Sequence, residues 1–118
     1  MNYSALVAAL MPAVQEAGAA ILDIKAKNPI SLSKSDGSPV TIADHAAEKI
    51  LLAALAKICP EVPVISEETP ENHRLVASEK FFLVDPLDGT KEFLRVENNG
   101  DYTVNIGLIE HNMPVMGI

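Results

Sequence analysis

Both the fold and the chemistry of this chain are indicated by ten consecutive residues, Phe81-Phe-Leu-Val-Asp-Pro-Leu-Asp-Gly-Thr90. The first four are apolar, and a short apolar run bounded by turn residues is typical of a buried β-strand. Asp85 and Asp88 follow that run directly. The segment therefore predicts a strand that delivers two carboxylates at its C-terminal end.

The residues after the run have the composition of a turn. Pro86 fixes one φ angle and Gly89 permits a tight bend. We therefore expect a turn in which Asp85, the carbonyl of Leu87 and Asp88 converge on one point. Asp-Pro and Asp-Gly are also common turn dipeptides, so a turn without a ligand is the alternative interpretation.

The same segment has the pattern of an anion site. A helix that starts just after Gly89 would present the free N–H groups of Gly89 and Thr90 to the point where the acids converge. A phosphate group could then lie beside the carboxylates.

A second strand-like run, Val64-Ile-Ser-Glu-Glu68, also ends in acids. Neighbouring carboxylates raise one another's pKa and are usually tolerated when a cation neutralises them. Oxygen ligands, with no cysteine cluster and no histidine pair, favour Mg²⁺, Mn²⁺ or Ca²⁺ over zinc. The two acidic strand ends together predict a site for a hard divalent cation.

Two amphipathic helices are predicted before these strands. Apolar residues recur at intervals of three and four over residues 4–27 and again over residues 41–59. Pro12 interrupts the first pattern and should mark either the first turn of the helix or a kink. At the start of the second, Thr41 and Asp44 have the spacing of a capping box, with Thr41 as N-cap. Asp44 could therefore cap the helix, polarise a site, or do both.

The last part of the chain predicts a β-hairpin. Residues 102–109 alternate in polarity, and His111-Asn112 connects them to a second run at residues 113–118. We therefore expect an α+β fold with two N-terminal helices packed on a mainly antiparallel sheet. No turn or cap follows the last run, so an exposed sheet edge and self-association are expected.

Composition limits the class of protein. A length of 118 residues suits one domain, and a net charge of −7 argues against a nucleic acid polymer as partner. Cys59 is the only cysteine, and no signal peptide or transmembrane segment is expected. These features predict a cytoplasmic protein, with peripheral attachment at the inner membrane as the alternative.

Three motifs in this order resemble those of the inositol-monophosphatase-like superfamily: residues 34–44 (KSDGSPVTIAD), 66–68 (SEE) and 85–93 (DPLDGTKEF). The last is most similar to the bacterial 3′(2′),5′-bisphosphate nucleotidases of the CysQ type. The resemblance implies a layered αβαβα sandwich, of which residues 1–118 form the N-terminal, metal-binding part. It implies a Mg²⁺-dependent phosphatase that acts on adenosine 3′,5′-bisphosphate, a by-product of sulfate assimilation, with two or three Mg²⁺ ions in a complete site.

The resemblance also assigns roles to residues. Glu67, Asp85 and the Leu87 carbonyl would bind one Mg²⁺, and Asp85 with Asp88 would begin a second site. Asp44 and Thr90, together with Glu67, would be the catalytic residues, the first two orienting the attacking water.

The substrate phosphate would be held at Glu67 and at residues 87–90, namely Leu87, Asp88, Gly89 and Thr90. The chain has no tryptophan, so it lacks the Trp-Asp motif with which the second half of the family fold completes the second metal site. We therefore expect weak metal binding and little turnover by the chain alone. An inositol or sugar phosphatase and a non-catalytic cation-binding module remain the alternatives.

Overall fold

The computed structural model describes residues 2–27, 39–66, 79–88 and 103–118, with the backbone alone for residues 39–41 and 88. Two helices precede four strands: α1 Tyr3–Lys27, α2 Pro39–Ile58, β1 Val64–Ser66, β2 Lys80–Asp88, β3 Thr103–Glu110 and β4 Met113–Gly117. The strands form a sheet in the order β1-β2-β3-β4, in which β1 is parallel to β2 and the other neighbours are antiparallel. The predicted α+β fold with a mainly antiparallel sheet is confirmed.

Helix α1 starts at Tyr3 and continues through Pro12. Asn2 caps it, because its Oδ1 accepts a hydrogen bond from the N–H of Ala5 at 3.0 Å and its carbonyl accepts one from Leu6 at 3.0 Å. Of the two alternatives predicted for Pro12, the first turn is therefore wrong, and the kink stays a prediction. Pro12 is exposed, and its unfavourable effect on the helix is offset by the buried stripe that flanks it.

Helix α2 starts at Pro39, so Thr41 is its third residue. The predicted capping box with Thr41 as N-cap is therefore wrong. Proline suits the first turn of a helix because its missing N–H would have no partner there.

The helices cover one face of the sheet. Phe82 and Val84 of β2 and Ile106 and Leu108 of β3 are buried in one core with both helices. From α1 the buried residues are Leu6, Leu10, Ala17 and Ile21, and the spacing of these four matches the predicted apolar stripe. The core therefore lies between the two helices and this face of the sheet.

Helix α1 is also long and apolar enough to cross a membrane by length and composition, with a mean hydropathy of 1.7 over an 18-residue window. A core helix meets the same criterion, and α1 packs against α2 through its buried stripe. Only 28% of that window is buried against the rest of the described chain, so packing in the core accounts for part of its hydropathy.

The predicted hairpin between β3 and β4 is confirmed. His111 and Asn112 have φ angles of 50° and 65°, and two successive residues with positive φ form the turn that matches the twist of paired strands. Strand β4 lies at the edge of the described sheet and contains Pro114. Proline has no backbone N–H to donate, and an edge strand tolerates this because it pairs with a neighbour on one side alone. Self-association through this edge stays a prediction.

A polar contact connects the start of α1 to the sheet. The hydroxyl of Tyr3 donates to Oε2 of Glu110 at 2.6 Å, and Nζ of Lys80 lies 3.1 Å from Oε1 of the same carboxylate. The hydrogen bond from Tyr3 and the neighbouring Lys80 lower the pKa of Glu110, and the same hydrogen bond raises the pKa of Tyr3.

The acid sensitivity of folding should depend on Glu110. Because its pKa in the folded state lies below the ordinary value of 4.5, the ionised carboxylate stabilises the fold above that pH, and this contribution is lost as the pH falls through the folded value. In Glu110→Gln, the Tm measured by circular dichroism should fall less steeply below about pH 4.5 than in the parent. Glu79→Gln, an exposed neighbour, is the matched control, and the same acid dependence in both variants would contradict the prediction.

Candidate functional site

Strand β2 becomes irregular at the two acids that the sequence singled out. Asp85 is opposite Asn105 and Asp88 is opposite Thr103, so β2 advances three residues while β3 advances two. One extra residue on one strand is a β-bulge, and bulges are frequent beside active sites. Pro86 lies in the bulge, where its missing ladder donor is tolerated. The turn predicted here is, over its described part, a bulged strand.

The bulge changes which face of the sheet the acids share. Residues three apart on a regular strand lie on opposite faces. Thr103 and Asn105 are two residues apart on β3 and share a face of the sheet. Asp85 is paired with Asn105 and Asp88 with Thr103, so the register positions of both acids belong to that same face. This backbone arrangement is compatible with the predicted convergence of the two acids.

Asp85 lies at the border between the core and an open concavity. The residue is half-buried and its Oδ1 is buried. The concavity, of about 880 Å³, is lined by Asp85 and by Phe81, Leu83 and Asn105, which lie on the sheet face away from the helices. A carboxylate beside apolar walls interacts more strongly with a cation than one in open water.

Asp44 lies on α2, the helix that packs against β2. It is 1% exposed, and both of its carboxylate oxygens are buried. Buried charges in proteins are paired or coordinate metals, because removing them from water is costly. The buried side chain favours a role within the protein interior over simple capping of an exposed helix end.

Sequence reasoning missed a contact one turn further along α2. The hydroxyl of Ser66 donates to Oε2 of Glu48 at 2.8 Å, and Ser66 is fully buried. Asp44 and Glu48 are four residues apart and therefore share a helix face. The four-residue spacing of Asp44 and Glu48 could have indicated that they share a helix face. No pattern in the sequence indicated that Glu48 contacts Ser66.

The donor set fits a hard cation. Carboxylate and carbonyl oxygens are the ligands that Mg²⁺ takes in proteins. Leu87 is buried at 2% exposure, so its side chain helps to hold the bulge in place. Its carbonyl is the oxygen that the family resemblance implies as a metal ligand. Within residues 2–27, 39–66, 79–88 and 103–118, no group of three or more acidic, histidine or cysteine ligands is found.

The other predicted site residues lie where the structure gives no side-chain position. Glu67, Gly89 and Thr90 are outside the described residues, and Asp88 is described by its backbone alone. The structure therefore locates Asp44, Asp85 and Leu87 and the backbone of Asp88.

The single cysteine, Cys59, is buried just after the end of α2. Burial raises the pKa of the Cys59 thiol, and the charge of Glu61 acts in the same direction, while Lys80 partly opposes them. A thiol with a raised pKa stays protonated at neutral pH and is unreactive.

Comparison with known proteins identifies the family. Residues 2–118 match the model of the inositol monophosphatase family. The chain is 44% identical over 107 residues to the 3′(2′),5′-bisphosphate nucleotidase CysQ of Escherichia coli K12. The aligned region covers 88% of this chain and 43% of that protein. The corresponding protein of Salmonella typhimurium is 45% identical over the same length and coverage. The chain thus spans less than half of the length of these relatives.

Superposition on solved structures supports the same family. The crystal structure of CysQ from Bacteroides thetaiotaomicron superimposes with a TM-score of 0.75 at 40% identity, over 98% of this chain and 41% of that one. An inositol monophosphatase from Zymomonas mobilis superimposes with a TM-score of 0.76 at 28% identity, over 100% of this chain and 44% of that one. With its helices, its mixed sheet and its acids at the bulge of β2, the chain belongs to the inositol monophosphatase family.

Proposed function

We propose that this chain provides the Mg²⁺-binding part of a phosphatase that removes the 3′-phosphate of adenosine 3′,5′-bisphosphate, giving AMP and phosphate. The observation that carries the proposal is the 44% identity over 107 residues to a 3′(2′),5′-bisphosphate nucleotidase. We place the reaction in the disposal of this by-product of sulfate assimilation. A cytoplasmic location accords with a single, free and buried cysteine.

The metal ligands in this proposal come from the ends of β1 and β2. Glu67, Asp85 and the Leu87 carbonyl hold one Mg²⁺, and Asp85 with Asp88 begins a second site. The buried Oδ1 of Asp85 and the register of the bulge support this assignment. Strand β1 is parallel to β2, and Ser66 is opposite Val84. The next residue along each chain segment is Glu67 after β1 and Asp85 within β2, so both acids follow at the same end of the two paired strands.

Mg²⁺ ions held by these residues would supply Lewis-acid activation of water and would stabilise the leaving oxygen. Phosphate-monoester hydrolysis needs acceleration of up to about 10²¹-fold. The protein contributes position and charge. Asp44 and Thr90 orient the attacking water, and the backbone N–H groups of Gly89 and Thr90 hold the phosphate. Glu67, Leu87 and Asp88 complete the substrate site around it.

A second candidate is an inositol or sugar monophosphatase. It is favoured by the superposition on the Zymomonas mobilis inositol monophosphatase, which is as close in structure as that on CysQ. The chain is 28% identical to that inositol monophosphatase and 40% identical to the CysQ structure, so we rank this candidate function second.

We propose that the chain alone has little activity. It contains no tryptophan, and therefore no Trp-Asp motif to supply a further acid to the second metal site. An incomplete ligand set should bind metal weakly. Two-metal catalysis requires both ions to be held, so the chain alone should turn over little substrate.

The test compares residues 1–118 with a chimera in which the second half of the Escherichia coli relative is appended. Phosphate release is measured with Mg²⁺ and either adenosine 3′,5′-bisphosphate or inositol 1-phosphate. We expect the chimera to prefer the nucleotide and the chain alone to release little phosphate. Preference for inositol 1-phosphate would support the second candidate, and metal binding without turnover by the chimera would indicate a non-catalytic module. Robust release by the chain alone would contradict the proposed incompleteness.

A further inference from the structure

The hydrogen bond between Ser66 and Glu48 connects two elements that both lead into the metal site. Ser66 is the last residue of β1, and its hydroxyl donates to Oε2 of Glu48 on α2 at 2.8 Å. Ser66 is 0% exposed and Glu48 is half-buried. A buried hydroxyl bonded to a charged acceptor is among the stronger side-chain contacts in a protein.

Strand β1 is short. It has three residues and lies at one edge of the described part of the sheet, where its ladder is formed with β2. Ser66 is opposite Val84, the residue before Asp85, and it directly precedes Glu67. A shift of Ser66 would therefore move the chain at the point where it enters Glu67.

Glu48 is placed to link this strand end with Asp44. The two acids are one helical turn apart on α2, and Asp44 is buried on the same helix. The contact from Glu48 to Ser66 thus fixes the distance between the helix that carries Asp44 and the strand that leads to Glu67.

We propose that Glu48 is a positioning residue for the metal site and acts through the hydroxyl of Ser66. This inference rests on the proposed metal site, since it concerns how Glu67 and Asp44 are held. Residues that orient metal ligands typically change metal affinity by about 10–100-fold when removed, and we expect a loss in this range for Glu48→Ala.

The test measures Mn²⁺ affinity by electron paramagnetic resonance on residues 1–118, with Mn²⁺ as a paramagnetic probe for the Mg²⁺ site. The variants are Glu48→Ala, Ser66→Ala and the double variant, and Glu16→Ala on the exposed side of α1 is the matched control. Each single variant should lose about 10-fold or more in affinity, and the double variant should lose no more than either, because both remove one contact. Glu48→Gln keeps an acceptor oxygen and should recover part of the loss.

Three outcomes would overturn the inference and can be told apart. Affinities within about twofold of the parent in Ser66→Ala, or additive losses in the double variant, would show that the contact does not position the site. If Glu48→Ala fails to fold by circular dichroism, Ser66→Ala alone decides the result. If neither the parent nor the chimera with a complete second half shows Mn²⁺ binding that Asp85→Asn removes, the proposed metal site fails, and this inference fails with it.

Discussion

Asp85→Asn is expected to reduce divalent-metal affinity by more than about 100-fold and to abolish phosphate release by the chimera with a complete second half. Asp85 is the acid that the proposal shares between two metal sites, and its Oδ1 is buried beside an apolar concavity. The amide keeps the size of the side chain but removes the charge that a hard cation requires. Removing a residue that only orients a metal ligand lowers metal affinity by about 10–100-fold. Removing a ligand that two metal sites share should lower the affinity by more than that.

The control for this prediction makes the same chemical change elsewhere. Asp23→Asn removes a carboxylate whose ion pair with Lys27, at 3.0 Å on the surface of α1, is largely exposed. Calorimetric titration with Mg²⁺ and Mn²⁺ should show unchanged affinity for Asp23→Asn. Equal affinities for the Asp85 variant and the parent would remove Asp85 from the site.

Phe82→Ala is expected to lower the free energy of unfolding by about 3–5 kcal/mol. Phe82 is 0% exposed and lies at the centre of the core between β2 and the helices. Removing its ring deletes apolar contacts and leaves a cavity that the surrounding helices fill only in part. For a domain of this size the change is a large share of the total stability.

Leu83→Ala provides the comparison on the adjacent residue. Leu83 is 43% exposed on the sheet face away from the helices, so its loss should cost less than about 1 kcal/mol. Urea unfolding of both variants, followed by circular dichroism, measures the difference. Similar costs at the two positions would mean that the face carrying Leu83 is covered in solution.

The elements of the fold were largely predictable because their hydrophobic periods are strong. Both helices, the strand before Asp85 and the hairpin at His111-Asn112 follow from spacing and turn chemistry. The positions of Pro12 and Thr41 within the helices did not follow, since local signals for a helix start are overridden when a long buried stripe continues past them.

Two kinds of signal pointed to the candidate site residues, and neither gave their geometry. Asp85 was identified from its place after an apolar run and Asp44 from its capping-box spacing and the family resemblance, and both have buried carboxylate oxygens. The bulge was missed because Pro86 favours a turn in isolation, whereas pairing with β3 keeps this segment in the sheet. The contact of Ser66 with Glu48 joins residues 18 positions apart, and no local pattern encodes it.

The reversal at His111-Asn112 lies at the opposite end of the sheet from Asp85. Lys80 is opposite Glu110 and Asp85 is opposite Asn105, so five residues of extended chain, about 17 Å, separate the two ends. Both turn residues are exposed. A fluorophore, an affinity tag or a surface linker attached at this reversal can therefore report on the molecule without obstructing the acids.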